Sequence, residues 1–310
     1  MIRDYVGMAR PDHWFKNVFV IPGVLLGWIA APHANVTQAL GWLGVGVLAT
    51  CLACSSNYTI NEWLDAPEDR KHPEKHRRPA AAGRVKAPIV YAQWIGLGLI
   101  SMALGWFVGW QFLLSLAALL VMGMLYNIRP IRLKDWPYLD VLSESVNNPL
   151  RLLLGWYAVQ CPLVPPASLL LSYWMIGAFL MAIKRLAEMR HIGDQGVAQA
   201  YRKSFKHYTP ERVLISMLFY ATAFGFFGGI FLIRYRIELI LGVPFLAGFI
   251  AMYTRLGFLP NSPTQRPEEL YRNKPFVAYT CLTAVILLAC LVIRLPWLDG
   301  LFNPTIPAGR

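Results

Sequence analysis

Three long stretches of the chain contain no Asp, Glu, Lys or Arg and consist mainly of apolar residues, at positions 18–61, 87–128 and 152–183. The second stretch has 42 residues. As one helix rising about 1.5 Å per residue it would be about 63 Å long, whereas the apolar core of a bilayer is about 30 Å thick. The first two stretches therefore each predict a helical hairpin that crosses a membrane twice.

Polar residues, prolines and glycines divide these stretches and the apolar segments that follow them. The division predicts nine membrane helices, at 18–32, 37–64, 88–108, 110–127, 138–160, 164–186, 211–233, 236–255 and 275–298. The predicted fold class is an all-α polytopic membrane protein with a single domain, residues 1–310. Its longest loops are expected at about 65–87 and 184–212.

The basic residues are distributed unequally between the two predicted sides of the membrane. Of 29 Lys and Arg residues, 24 lie before the first helix or in the loops at 65–87, 128–137, 184–212 and 255–274, and four lie on the opposite side. Loops rich in Lys and Arg stay in the cytoplasm, so the N-terminus is predicted to be cytoplasmic and the C-terminus to lie outside. The net charge of +12 suits anionic lipids or phosphate-bearing substrates, and nucleic acid is not an expected partner.

Amide and carboxylate side chains are aligned on the second predicted helix. Asn57, Asn61 and Asp65 are spaced by four residues and therefore share one helical face. Pro67 is expected to end or kink this helix, which would let Asp69 fold back from the loop. Because Mg²⁺ prefers oxygen ligands of this kind, Asn61, Asp65 and Asp69 are predicted to bind Mg²⁺. The alternative is a solvated helix end.

A basic run follows this helix directly. Lys75, Arg77 and Arg78 lie close in sequence to the predicted Mg²⁺ ligands, and the Arg guanidinium matches phosphate oxygens in a bidentate manner. These three side chains are therefore candidates for phosphate binding. The alternative is that they only contribute to the positive charge that flanks a membrane helix.

The fifth predicted helix carries a polar stripe. Asp140, Glu144, Asn147 and Arg151 follow one another at i, i+4, i+7 and i+11. Arg151 lies about ten residues past the start of the helix, about 15 Å into the apolar layer. An unpaired Arg there is costly, so Arg151 is expected to pair with Glu144, Asp140 or a bound phosphate. A purely structural Glu144–Arg151 pair is the alternative, and Pro149 is expected to kink the helix.

Several sequence motifs resemble those of a known family. N-E-W-L-D-A-P-E-D at 61–69 resembles the N-D-x-x-D-x-x-x-D signature of the UbiA superfamily of intramembrane prenyltransferases, with Glu62 in place of the usual Asp. H-P-E-K-H-R-R-P-A-A-A-G at 72–83 and R-P-D-H-W-F-K-N at 10–17 resemble a narrower branch, the decaprenyl-phosphate 5-phosphoribosyltransferases. This resemblance extends along most of the chain.

Two further segments distinguish this branch from other UbiA enzymes. K-R-L-A-E at 184–188 is similar to the branch's K-R-x-x-E, and Arg202 with Ser204 and Tyr208 is similar to its R-x-S…Y. Ordinary UbiA prenyltransferases place a second Asp-rich D-x-x-x-D motif at the first of these positions. The resemblance therefore implies that cations hold phosphate groups where other members hold metal. The alternative is that Lys184 and Arg185 extend to the membrane surface from a helix end.

The residues expected to bind substrate come from the patterns and the resemblance together. They are Lys16, Asn57, Lys75, Arg77, Arg78, Asp140, Glu144, Arg151, Lys184, Arg185, Glu188 and Arg202. Asn61, Asp65 and Asp69 are expected to be catalytic through the Mg²⁺ that they hold.

The reaction that the resemblance implies is the Mg²⁺-dependent transfer of a 5-phosphoribosyl group from phosphoribosyl diphosphate to a polyprenyl phosphate, with release of diphosphate. The helices are expected to surround a central cavity that opens to the cytoplasm and laterally to the bilayer, because a polyprenyl tail leaves an apolar phase only at about 0.8 kcal/mol per CH₂. The expected location is the bacterial inner membrane, with the active site facing the cytoplasm, and homo-oligomerisation is left open. Two rival functions are a UbiA-type transfer of a prenyl chain from prenyl diphosphate to an aromatic or other acceptor, and lipid transport without chemistry.

Overall fold

A computed structural model describes residues 2–31, 35–71, 74–193, 196 and 202–302 of the chain, and within these ranges every regular element is a helix. The α-helices are α1 Ile2–Ala9, α2 Ile21–Ala30, α3 Val36–Asp69, α4 Ala87–Val108, α5 Trp110–Asn127, α6 Leu139–Ser145, α7 Asn147–Ala158, α8 Ala167–Ile192, α9 Pro210–Tyr235, α10 Val243–Gly257, α11 Lys274–Val292 and α12 Pro296–Phe302. A 3₁₀ segment, Pro11–Val20, joins α1 to α2. The predicted all-α fold class is confirmed.

Eight helical stretches in the described part of the chain are long and apolar enough to cross a membrane. They are Ile2–Ala30, Val36–Asp69, Ala87–Val108, Trp110–Asn127, Ala167–Ile192, Pro210–Tyr235, Ile237–Gly257 and Lys274–Val292. The chain is thus a multi-pass membrane protein. The predicted sidedness of the termini stays a prediction, and the last residues, 303–310, lie outside the described ranges.

The predicted fifth helix, 138–160, is divided into α6 and α7 at Val146. Pro149 lacks an N–H group and cannot donate to the carbonyl of Ser145, which weakens a continuous helix at this point. Each half is shorter than the roughly 20 residues that a bilayer crossing requires. The count of nine crossing helices is therefore not confirmed, whereas the break lies close to the predicted kink.

Two helices extend beyond their predicted ends. α3 continues through Pro67 to Asp69, and the N–H of Arg70 donates to the carbonyl of Ala66 at 3.2 Å. Pro67 therefore neither ends the helix nor releases Asp69 into a loop, because the last turn closes around it. Likewise α8 continues to Ile192, so the first part of the predicted loop 184–212 is helical.

The helices pack as two groups, and α6 and α7 belong to different groups. Helices α3, α4, α5 and α7 share one apolar core, in which Phe112, Leu116 and Leu154 are buried. Helices α8, α9, α10 and α11 share another, centred on residues such as Phe179 and Tyr220, and α6 contributes Val141 to it. Helix α6 thus packs with one group and α7 with the other, on either side of the break at Val146.

Helix α7 approaches α2 closely because glycines face backbone atoms at two points. A Cβ atom at Gly23 would lie 1.9 Å from the carbonyl oxygen of Leu152, and one at Gly155 would lie 2.1 Å from that of Val20. Neither separation is sterically possible, so this packing requires glycine at both positions. The contact brings Arg151 of α7 beside the Pro11–Val20 segment.

Candidate active site

Side chains near the C-terminal end of α3 form hydrogen bonds with the end of α5 and the segment that follows it. Asp65 Oδ1 accepts a hydrogen bond from Arg132 Nη2 at 3.0 Å and another from Lys134 Nζ. Lys134 Nζ also donates to Asn127 Oδ1 at 2.7 Å, and the same oxygen accepts from Asn61 Nδ2 at 2.7 Å. Two of the predicted Mg²⁺ ligands are therefore joined through Asn127 and Lys134.

Arg132 and Lys134 were not among the predicted site residues. Arg132 is buried and also contacts Glu68 Oε1 at 3.4 Å. Its backbone has a φ of 34°, a left-handed conformation that non-glycine residues adopt at a cost, often at functional sites. Burial lowers the pKa of Lys134, and the charge of Asp65 opposes this effect. The sequence signal for them is the basic segment directly after α5.

The loop after α3 folds back onto the end of that helix and reaches α8. Asp69 Oδ2 lies 2.6 Å from Arg78 Nη1, and Lys75 Nζ lies 3.5 Å from Glu188 Oε1 on α8. Burial lowers the pKa of Lys75, and the charge of Glu188 opposes this effect. The structure thus brings the predicted acidic face of α3, the basic loop and α8 together.

On α8, Arg185 occupies the centre of a second cluster. Its guanidinium contacts Asp140 Oδ2 at 3.0 Å, Glu144 Oε2 at 2.6 Å and Glu188 Oε2 at 3.4 Å. Tyr126 donates its O–H to Glu144 Oε2 at 3.0 Å. Arg185 is only 1% exposed, so this side chain does not extend to the membrane surface.

Asp140 is the main hydrogen-bond acceptor of this cluster. Besides Arg185, its carboxylate accepts from Ser204 Oγ at 3.2 Å, from Tyr208 Oη at 2.5 Å and from Arg202 Nη1 at 3.4 Å. Burial, reinforced by the Asp140 charge, raises the pKa of Tyr208, so its hydroxyl stays protonated and donates. The segment that carries Arg202 is thereby tied to α6 and α8.

The expected pairing of Arg151 with Glu144 or Asp140 is wrong. Glu144 pairs with Arg185 instead, because α6 and α7 are separate segments and turn these two residues toward different neighbours. Arg151 Nε donates to Asn17 Oδ1 at 3.1 Å, and Arg151 Nη2 lies 3.5 Å from Cys54 Sγ. The partners of Arg151 are thus neutral groups, which the sequence did not indicate.

Glu62, which stands where the family signature has Asp, lies on a different face of α3. Its Oε2 pairs with Arg10 Nη2 at 3.3 Å, and its Oε1 accepts from the backbone N–H of Ala80 at 3.5 Å. Glu62 is 2% exposed. This residue therefore joins the N-terminal segment to the basic loop and does not point toward Asp65.

The other predicted residues differ in how they are placed. Asn57 donates through Nδ2 to the carbonyl of Leu119 at 3.0 Å, and Lys16 Nζ lies 3.3 Å from His13 Nδ1. Lys184 is partly exposed on α8, and it interacts electrostatically with Glu144 and Glu188. The side chain of Arg77, in contrast, is exposed.

The oxygen atoms along α3 fit the donor chemistry of Mg²⁺. Asn61, Asp65 and Asp69 offer one amide and two carboxylates on successive turns of a single helix. Close to them, Glu68 Oε2 and Asn57 Oδ1 are buried and have no hydrogen-bond partner among the described residues. Buried oxygens without a donor are the kind of acceptor that a hard cation satisfies.

A cavity of about 480 Å³ lies near the C-terminal end of α8. Its lining includes Glu74, His191, Asn261, Arg266 and Glu269. Glu74 precedes Lys75 in the basic loop, and it pairs with Arg266. This cavity is not the predicted central one, which stays a prediction.

A family model agrees with the motif and the fold. The model described as the UbiA prenyltransferase family matches residues 19–273. The chain belongs to the UbiA prenyltransferase family. The match spans the helices that carry the α3 signature and the Lys184–Glu188 segment, so the predicted family is confirmed and the protein is a membrane transferase of the UbiA type.

Two relatives and one solved structure illustrate the likeness within the UbiA family. The decaprenyl-phosphate phosphoribosyltransferase of Mycobacterium tuberculosis is 28% identical over 223 residues, or 72% of each chain. The nodulation protein NoeC of Azorhizobium caulinodans is 28% identical over 65% of this chain and 62% of its own. A UbiA homolog from Archaeoglobus fulgidus, solved with GPP and Mg²⁺, has a TM-score of 0.69 at 19% identity and covers 94% of this chain and 100% of its own. The last likeness concerns the fold alone.

Proposed function

We propose that this protein transfers a 5-phosphoribosyl group from phosphoribosyl diphosphate to a polyprenyl phosphate. In this reaction an oxygen of the acceptor phosphate forms a bond to C1 of the ribose. The bond between C1 and the diphosphate oxygen breaks, and diphosphate leaves with the electron pair. The acceptor phosphate is largely ionised near neutral pH, since the second pKa of such groups is about 6, so the reaction needs no dedicated base.

The observation that carries the proposal is the convergence of cations at α8. Lys75 from the basic loop and Arg185 both contact Glu188, at 3.5 Å and 3.4 Å, and Lys184 is next to Arg185 in sequence. In the prenyl-transferring members that the sequence resembles, this part of the helix carries a second acidic motif. The donor has a diphosphate and a 5-phosphate, which require cations, whereas a prenyl diphosphate has one anionic group.

The carboxylates of α3 have a different role in the proposal. Asn61, Asp65 and Asp69 would hold Mg²⁺, which supplies electrostatic neutralisation of the leaving diphosphate. Arg78, Lys75 and Lys184 would bind the remaining phosphate oxygens and orient C1 toward the acceptor. Positioning of this kind supplies a large part of the rate in such transfers.

Two comparisons support the choice of substrates and metal. The mycobacterial relative, which aligns with 72% of this chain, is named for transfer of phosphoribose to decaprenyl phosphate. The archaeal UbiA homolog of the same fold binds Mg²⁺. In the proposal the site faces the cytoplasm from a bacterial inner membrane, where the soluble donor is available, and the concentration of Lys and Arg in the loops at 65–87 and 184–212 supports this orientation.

The test uses the full-length protein in lipid nanodiscs with Mg²⁺. One reaction contains phosphoribosyl diphosphate labelled in the ribose with decaprenyl phosphate, and the other contains labelled geranyl diphosphate with 4-hydroxybenzoate. The proposal expects label in the lipid fraction only from the first reaction, and it expects a chelator to stop that reaction until excess Mg²⁺ is added. Product only from geranyl diphosphate would establish the rival prenyl transfer. The absence of product from both pairs would refute the proposal and favour lipid transport.

A further inference from the structure

Arg151 differs from the other cations of the site in its partners. Arg185 contacts three carboxylates, Lys75 contacts Glu188, and Arg78 contacts Asp69. Arg151, in contrast, forms no ion pair with a carboxylate of the described residues, and its guanidinium contacts Asn17 and Cys54. Its charge is therefore not balanced by the protein that surrounds it.

The surroundings of Arg151 make this imbalance costly. Leu152 and Leu154 beside it on α7 are fully buried, and the helix belongs to the apolar core shared by α3, α4 and α5. A guanidinium in such a place is rare, and it normally pairs with an anion or marks a functional site. An anion supplied by a ligand would provide the missing partner.

The position of the guanidinium is fixed by the protein. Asn17 is buried and accepts from Arg151 Nε at 3.1 Å, while its own Nδ2 donates to Cys51 Sγ at 3.2 Å. The close glycine contacts between α2 and α7 hold the two segments together. Asn17 thus orients the guanidinium through Nε and leaves the Nη1 edge without a hydrogen bond to any residue in the described ranges.

The residues around this guanidinium are not completely buried. Arg151 is partly exposed, as are Tyr58 and Tyr173, whose phenols interact electrostatically with it. Tyr173 is held by a hydrogen bond to the carbonyl of Phe19 at 3.2 Å, and Tyr58 lies edge-on to His13 with ring centroids 5.4 Å apart. Aromatic rings and an Arg fork together suit a phosphate that carries an apolar chain.

We infer that Arg151 binds the phosphate group of the lipid acceptor and that Asn17 is the positioning residue for its guanidinium. The inference rests on the proposed function, and it assigns the phosphates of that reaction to different cations. The soluble donor meets the basic loop and α8, where Lys75, Arg78 and Arg185 each have a carboxylate partner. The acceptor keeps its chain in the apolar layer and brings its anionic head to the one unbalanced charge of α7.

The experiment measures binding of radiolabelled farnesyl phosphate and farnesol to protein in nanodiscs, without any donor. The two probes differ only in the phosphate, so the ratio of their affinities reports recognition of that group. We expect Arg151→Met to reduce the preference for farnesyl phosphate by roughly tenfold or more, the loss expected for a charge-assisted bidentate contact. Farnesol binding should change little. Lys75→Met, which removes a cation of the donor region, is the matched control and should keep the preference.

Two additional variants keep the inference open to refutation if Arg151→Met does not fold. Arg151→Lys keeps the charge but lacks the planar fork, and it should lower the preference severalfold. Asn17→Ala should lower it as well, because the guanidinium loses its orientation. An unchanged preference for farnesyl phosphate in Arg151→Met would overturn the inference. If Arg151→Met does not fold, an unchanged preference in Arg151→Lys would overturn it instead. A loss of preference in Lys75→Met as large as that in the Arg151 variant would also overturn it.

The outcome is separable from that of the proposed reaction because no donor is present. The wild-type protein could fail to form lipid-linked phosphoribose and still bind farnesyl phosphate more tightly than farnesol in a way that depends on Arg151. That result would refute the reaction and support the lipid phosphate site. If the protein forms lipid-linked phosphoribose but its preference for farnesyl phosphate over farnesol does not depend on Arg151, the reaction is supported and the assignment of Arg151 to the lipid phosphate is overturned.

Discussion

Asp140 on α6 and Arg185 on α8 form an ion pair with Oδ2 and Nε 3.0 Å apart, and the two residues are 0% and 1% exposed. Three further donors, from Arg202, Ser204 and Tyr208, complete the coordination of the carboxylate. A buried charge is tolerated when its hydrogen bonds are satisfied in this way. This pair therefore links α6, α8 and the segment after α8 at the base of the candidate site.

Replacing Asp140 by Asn should destabilise the protein. The variant removes the charge that Arg185 faces while keeping the shape of the side chain, and the expected loss is about 1.5–3 kcal/mol, the range for hydrogen bonds to charged groups. Unfolding in mixed SDS micelles measures this difference. Asp12→Asn is the control, since its side chain is 73% exposed, and a similar loss in both variants would contradict the interpretation.

Replacing Asp65 by Asn should impair catalysis more than folding. Asp65 is the carboxylate that joins Arg132 and Lys134 to the α3 face, and it is a proposed Mg²⁺ ligand. We expect kcat to fall by at least about 100-fold, as for loss of a group that stabilises transition-state charge, and the Mg²⁺ concentration needed for half-maximal rate to rise. Glu211→Gln, an exposed carboxylate at the start of α9, should leave both quantities unchanged. Wild-type kcat in Asp65→Asn would refute a catalytic role for this residue.

The affinity for the donor should fall at alkaline pH through Lys75. Burial lowers the pKa of this amine, so it loses its proton, and with it the charge that attracts phosphate, at a lower pH than the ordinary lysine value of about 10.4. The KM for phosphoribosyl diphosphate should therefore rise with pH before ordinary lysines titrate. In Lys75→Arg the cation stays charged, and the rise in KM should be smaller. An identical pH profile in the two proteins would show that Lys75 does not bind the donor.

Replacing Gly155 by Ala should separate α7 from α2. The added Cβ would lie 2.1 Å from the carbonyl oxygen of Val20, a backbone atom that cannot move aside cheaply, and overpacking of this kind costs about 1–3 kcal/mol. Gly41→Ala on α3 meets no atom within 4 Å and should be neutral or slightly stabilising. Thermal denaturation of both variants in the same detergent compares them, and equal midpoints would contradict the close contact.

The membrane class and the shared helical face of Asn57, Asn61 and Asp65 followed from the order of residues along the chain. Long stretches without charge specify apolar helices, because charged groups are expensive in lipid wherever the helix packs. The alignment of Asn57, Asn61 and Asp65 likewise depends only on helical periodicity, and the structure extends it to Asp69 because α3 continues through Pro67. The apolar helices and the shared polar face of α3 can therefore be predicted from residues that are close together in the sequence.

The partners of the charged side chains were decided by the tertiary structure. Glu144 and Arg151 share a stripe in the sequence, yet Glu144 pairs with Arg185 and Arg151 binds Asn17, 134 positions away. A break at Val146 and the glycine contacts of α7 set these rotations. Ion pairs between helices depend on how each helix is turned and which helix adjoins it, and periodicity within one helix does not determine either.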